Sequence, residues 1–285
     1  MLAGRTRSFE HRRDWIIEVE GQLAELFAIE IEFRAEMQNH FHVVLRPRSD
    51  IASRWTREQI VIRWLKIAKL KRGSSIKGWE PSKAQVEQNL RDNKRVKKLK
   101  KRLSNISWFM GALCENIARR ANKEDGCTGR FFQGRFECRL IDSVESLLQC
   151  GIYVDLNMIR AGEAETPEQS RYTSVHDRMQ ACLDRASATG PLVEDVLNSQ
   201  PDRWMSPLEL EEGPDVPPER HLQSRTGCRA SDKGVLPMDL ATYVQLLEWT
   251  GRQLRSDKRG AIPANLAPIF ERLGPENLTD QRVGE

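Results

Sequence analysis

From Ile29 to Met37 the chain alternates without a break. Ile29, Ile31, Phe33, Ala35 and Met37 are apolar, and Glu30, Glu32, Arg34 and Glu36 between them are charged. A sustained period of two predicts a half-buried β-strand. Gln38-Asn39 follows where a tight connection belongs. Asn39-His40-Phe41-His42-Val43-Val44-Leu45 then reads as the second strand of an antiparallel hairpin. Neighbouring side chains on a strand face opposite ways. Phe41, Val43 and Leu45 are expected toward a core, and His40, His42 and Val44 on the other side.

Elsewhere the spacing is helical. A first helix runs from about Phe9 to Phe27, with Trp15, Ile16, Val19, Leu23, Leu26 and Phe27 on one side. A second spans Ser53 to Leu70, with Thr56 and Gln59 as a capping box and Ile60, Val61, Trp64 and Leu65 inward. Residues 71–103 read as a helical, basic insertion. Ser107 is placed to cap a helix reaching about Arg120, with Trp108, Phe109, Ala112, Leu113 and Ile117 inward, and a loop follows from Asn122 to Gly129. Next comes a strand with Gln133, Arg135 and Arg139 on one face and Phe132, Gly134, Phe136 and Cys138 on the other. Asp142 to about Ala161 is a helix capped by Asp142 or Ser143. Its buried stripe is Val144, Leu147, Leu148, Gly151, Ile152, Leu156 and Ile159, and Gly162 stops it. Prolines and charges dominate 184–236, which reads as a partly disordered linker. Helices over 237–255, carrying Leu240, Tyr243, Leu246, Leu247 and Trp249, and from Pro263 to Leu273 form a small tail. The organisation expected is one main domain over 1–183, the linker over 184–236 and the tail over 237–285.

Composition narrows the class. A net charge of +4 on 285 residues does not by itself announce nucleic acid. Its distribution says more. Arg91, Lys94, Arg95, Lys97, Lys98, Lys100, Lys101 and Arg102 put a cation on nearly every turn of a helix, which suits a phosphate backbone or simply a solvated face. Six cysteines form no Cys-x-x-Cys pair. Cys114, Cys138 and Cys150 fall in element interiors and read as small buried hydrophobes in a reducing cytoplasm. No signal peptide and no long apolar stretch is present, so no membrane role is expected.

Chemistry enters with the histidines. His40 and His42 share a strand face, and two adjacent imidazoles are half of a divalent-metal site, although two surface histidines on a polar face would look the same. In the 142–161 helix Gln149, Tyr153 and Asn157 lie four residues apart and so share a face. Tyrosine can act as a covalent nucleophile, and a carboxamide oxygen suits a hard cation. The plainer reading of Tyr153 is an amphipathic ring at a core margin. The combination suggests a metal that polarises a phosphate while Tyr153 attacks it.

Three blocks, in order between residues 37 and 162, resemble one family. Met37-Gln38-Asn39 followed by His40-Phe41-His42 resembles the lead-in and the histidine-hydrophobic-histidine (HUH) motif of single-tyrosine transposases. Gly129-Arg130-Phe131-Phe132-Gln133-Gly134-Arg135-Phe136 resembles their Gly-Arg-aromatic strand. Tyr153-Val154-Asp155-Leu156-Asn157-Met158-Ile159-Arg160-Ala161-Gly162 resembles their tyrosine block, with Met158 where proline is usual. Asparagine after the tyrosine points to the REP-associated tyrosine transposases.

That resemblance implies an α+β fold, a ferredoxin-like antiparallel sheet packed by helices (the HUH nuclease fold), with a helical insertion and a helical C-terminal extension. Family members place a strand before the first helix. Here the sequence enters a helix directly, so a shortened catalytic domain with an unpaired edge on the histidine strand is expected. The implied activity is DNA transposition: single-strand DNA cleavage and joining through a 5′-phosphotyrosine on Tyr153, with Mg²⁺ or Mn²⁺ on His40, His42 and Asn157. Arg130, Phe131, Gln133, Arg135 and Arg139 would contact single-stranded or hairpin DNA, helped by Lys94, Arg95, Lys97 and Lys98. The setting would be the bacterial cytoplasm, at the nucleoid, with a homodimer left open. Three alternatives remain at this level. One is an impaired transposase that binds hairpin DNA without cutting it. The second is an RNA-binding module, which would need aromatics where the histidines stand. The third is a metal phosphodiesterase using water, with Tyr153 only structural.

Overall fold

A computed structural model of the chain describes residues 9–187, 198–210, 221–224 and 226–278. It is a mixed α+β structure built on one hairpin: β1 (Ile29–Glu36) and β2 (Phe41–Pro47), antiparallel, from Ile29 opposite Pro47 to Glu36 opposite Phe41. Before the hairpin runs α1 (His11–Leu26); after it come α2 (Ser49–Arg54), α3 (Arg57–Leu70), α4 (Lys83–Leu90), α5 (Asn93–Arg102) and α6 (Ile106–Asp125). Then follow α7 (Val144–Asp155), α8 (Asn157–Ala161), α9 (Ser174–Ser187), α10 (Leu240–Arg252) and α11 (Ile269–Leu273). No helix among the described residues is long and apolar enough to cross a membrane.

Local signals set most helix starts. Thr56 and Gln59 form the expected capping box on α3, but the helix predicted from Ser53 is two, because the chain turns at Trp55 before Thr56 caps the second. The basic insertion folds as α4, boxed by Ser82 and Gln85, and α5, capped by Asp92. Asn105, not Ser107, caps α6 by accepting from the Trp108 amide. Ser143 caps α7.

The hairpin is a partition between two cores. On one side Phe41, Val43 and Leu45 pack with Ile29 and Ile31 against α1, α3 and α6, through residues such as Leu23, Phe27, Ile60 and Phe109. On the other, Val44 joins Phe33 and Ala35 against α7, α9 and α10. A bulge explains how one strand serves both. Between Ile31 and Phe33 the register slips, so Ile31 faces Leu45 while Phe33 faces Val44. One extra residue turns every later side chain to the opposite face.

Consequently β1 is buried throughout rather than half-buried. Its charges are matched inside the molecule. Arg34, fully buried, pairs with Glu36 and Asp177, and Glu30 pairs with Arg46 and Arg48, each at 2.6 Å. The free edge of β1 is closed by the Tyr172 carbonyl, Ser174 Oγ and the Ser206 amide, which bond to Glu36, Arg34 and Ile31. On β2 the outer edge has no ladder partner among the described residues.

Three expectations need correction. Residues 130–142, read as carrying a strand, make no backbone–backbone hydrogen bond, so Gln133, Arg135 and Arg139 do not share a sheet face. The segment lies at the surface, which leaves Phe136 and Cys138 exposed; Cys114 and Cys150 are half-buried. Val144 is exposed, not part of the buried stripe. The described parts of the stretch read as a linker are packed: Trp204 and Met205 enter the first core, and Leu208, Val235 and Leu236 the second. The remainder of that stretch, 188–197, 211–220 and residue 225, lies outside the described residues.

Candidate functional site

The turn at Met37, closed by its amide on the His40 carbonyl at 2.8 Å, sets the two histidines at the head of β2. Their rings meet edge-to-face, centroids 4.9 Å apart. His40 is exposed, and its Nδ1 lies 2.7 Å from Asn39 Oδ1, leaving Nε2 outward. His42 sits deeper, paired across the ladder with Ala35. Its Nε2 is sealed from solvent and has no hydrogen-bond partner. Burial, then the charges of His40 and Lys258, lower the His42 pKa and favour the neutral ring, the form that ligates.

Helix α7 lies over this face because Gly151 meets the Phe33 ring. A Cβ on Gly151 would stand 2.6 Å from Phe33 Cζ, so only glycine permits the approach. Two residues on, the Tyr153 ring reaches the His42 ring at 5.5 Å, edge-on. Tyr153 remains 47% exposed, and its hydroxyl bonds to none of the described residues, so it is open to an incoming group. The helix end is pinned by Asp155, which the sequence reading passed over. Its carboxylate, fully buried, accepts from Ser174 Oγ at 2.6 Å, the Val175 amide at 2.9 Å and the Tyr243 hydroxyl at 2.7 Å. Burial raises the Asp155 pKa, and these three donors oppose that shift. A carboxylate in an apolar helix face was the available signal.

The expected single helix breaks at Leu156, yet Asn157 stays beside Tyr153. Its Nδ2 donates to the Tyr153 carbonyl at 3.3 Å. The Tyr153 ring thus joins His40 and His42 in one patch, with Asn157 attached through the Tyr153 backbone. The other named residues do not join it by any contact. Arg130, Gln133, Arg135 and Arg139 stand exposed on the irregular 130–142 segment. Phe131 packs edge-on to Phe132 and lies 5.8 Å under the Arg12 guanidinium, while Phe132 touches the Phe41 ring at 6.3 Å. Lys94, Arg95, Lys97 and Lys98 are solvent-exposed on α5, whose Val96 and Leu99 dock into the first core, across the hairpin from Tyr153.

The donor set can be tested for a metal. Among the described residues no three His, Cys, Asp or Glu side chains gather as a cation cage. What is present carries no carboxylate: two imidazoles and, one helical turn from Tyr153, a carboxamide. The orphaned His42 Nε2 fits a ligand role, since a buried ring nitrogen without a partner is costly. A set without carboxylates suits a divalent ion that arrives with an anionic substrate rather than one held permanently. In comparisons with known proteins, the chain matches no family model, no curated protein and no solved structure.

Proposed function

We propose that the chain is a DNA strand transferase of the single-tyrosine transposase type, with Tyr153 as the nucleophile, built on a ferredoxin-like (HUH) plan. The carrying observation is the Tyr153 ring against His42, 5.5 Å away, with His42 Nε2 unpartnered and the Tyr153 hydroxyl open. A bound Mg²⁺ or Mn²⁺ would supply Lewis acidity at the scissile phosphate, held by His40, His42 and Asn157. Tyr153 Oη, on losing its proton, forms a bond to phosphorus. The bond from phosphorus to the 3′-oxygen breaks, and that oxygen takes up a proton. The product is a 5′-phosphotyrosine and a free 3′-hydroxyl. The diester energy is kept, so another 3′-hydroxyl can reverse the step and join strands. Asn157 and Asp155 hold the end of α7 and thereby the tyrosine's position. An exposed tyrosine suits an unpaired strand, since duplex DNA would hide the target.

The test is a denaturing gel. Wild-type protein with a labelled single-stranded oligonucleotide and Mn²⁺ should give a covalent adduct, abolished by chelation. Tyr153→Phe should lose the adduct and keep DNA binding. An adduct of undiminished yield in that variant would refute the assignment. One observation favours a second reading, a hairpin-DNA-binding protein without cleavage: β2, which carries His42 and follows His40, has a ladder partner on one side only among the described residues. Binding by wild type with no adduct under any metal would select it.

A further inference from the structure

The loop after α10, to which the sequence assigns no role, reaches the candidate site. Lys258 Nζ lies 5.8 Å from the centroid of the Tyr153 ring. The loop is fastened to the helix that follows the tyrosine. Arg160, in α8, donates to the carbonyls of Gln253 and Thr250, both at 2.8 Å. The amides of Arg259 and Gly260 donate back to the Arg160 carbonyl at 3.2 and 3.3 Å. Gly260 passes so near the chain that a Cβ there would stand 2.0 Å from the Ile159 carbonyl oxygen. The loop thus moves with α8, and its lysine is held in place relative to Tyr153 and Asn157.

Charge decides what such a lysine is for. Arg255 and Asp257 beside it are paired with each other at 3.0 Å. Lys258 makes no salt bridge among the described residues, and the adjacent Asp257 carboxylate, which feels its charge, is already paired with Arg255. Beside the Tyr153 ring, then, stand the His42 imidazole and one ammonium that makes no salt bridge. An ammonium without a salt bridge beside an open hydroxyl is a place for an anion. On the reading of Tyr153 as nucleophile, we infer that Lys258 binds a backbone phosphate of the single strand laid across Tyr153, making the C-terminal extension part of the DNA site.

The experiment uses the full chain carrying Tyr153→Phe, so that nothing is cut. Binding of a fluorescent, unstructured oligothymidylate is titrated by anisotropy over a range of KCl, with chelator present. Lys258→Ala should weaken binding several-fold and flatten the log–log salt slope by roughly 0.7, the share of one phosphate contact on a single strand. Lys258→Arg should restore the slope, and Lys77→Ala, on an exposed turn elsewhere, should leave it alone. With Tyr153 intact, Lys258→Ala should slow adduct formation at least 10-fold. An unchanged slope and affinity in Lys258→Ala overturns the inference, as does a parent protein that binds no oligothymidylate. A wild type that forms no adduct but shows the Lys258-dependent slope sinks the nuclease reading and leaves the phosphate contact standing.

Discussion

Gly151 controls how near Tyr153 comes to His42. The Phe33 ring fills the space a side chain would need, at 2.6–2.9 Å from an ideal Cβ. Gly151→Ala should therefore lift α7 from the hairpin. Overpacking of this kind costs about 1–3 kcal/mol. The expected result is a lower urea midpoint together with a slower adduct, whereas a surface glycine such as Gly134, with open space around it, should tolerate alanine. Wild-type stability in Gly151→Ala would show that the helix can yield without strain. The sequence placed Gly151 on the inward stripe. It could not say that Phe33 is what it meets, because that contact depends on a bulge upstream.

Segments obey their neighbours as much as their own pattern. Residues 130–142 alternate well enough to suggest a strand, yet form no ladder, because alternation only permits a strand and a second edge must complete it. Among the described residues the arginines there make no salt bridge, so a DNA role survives the loss of the strand. Arg135→Ala and Arg139→Ala should each flatten the salt dependence of single-strand binding by roughly 0.7 in log–log slope. Changing Lys94, Arg95, Lys97 and Lys98 to alanine should weaken binding at low salt but leave adduct formation at saturating DNA intact, since α5 docks on the far core. If both arginine variants keep affinity and slope, this segment is not a DNA surface.

Between the cores, the molecule carries a charge cluster that makes its stability depend on pH. Glu20 and Glu36 are buried beside Arg34, with Asp177 facing the same guanidinium. Burial pushes Glu36 up to about 7 and Glu20 well above the usual carboxylate range; the charge of Glu36 adds to the shift of Glu20, and that of Asp177 to the shift of Glu36. Glu20's oxygens find no nitrogen or hydroxyl donor, and a proton shared with Glu36 settles both acids. Unfolded, each would titrate near about 4.3. The cluster's contribution is therefore complete below that pH and is lost as pH rises through about 7. Between about pH 5.5 and 8.5 the melting temperature should fall by several degrees, at roughly 2–4 °C per kcal/mol for a chain of this size. Glu20→Gln, which needs no proton, should flatten the curve. A melting temperature that climbs across this window would contradict the assignment.

Short-range physics was legible throughout. Period-two alternation marked both strands, their connection and the shared face of His40 and His42. The four-residue spacing put Tyr153 beside Asn157. The capping box at Thr56 and Gln59 depends on atoms three residues apart, so it needed no further context. Whatever depends on chain segments meeting had to come from the fold. The slip at Glu32 sends Ile31 and Phe33 into different cores without a trace in the pattern. The salt bridges that bury all of β1 use arginines and acids from the second strand and from α9. The supposed linker became core because Trp204 and Leu236 found apolar walls that no local composition reveals. Lys258, 105 positions beyond Tyr153 in the numbering, stands over its ring because Arg160 holds the loop's carbonyls. Periodicity and capping act within a turn or a pleat, while burial, ion pairing and site assembly are set by residues far apart in sequence, and only the packed chain brings those together.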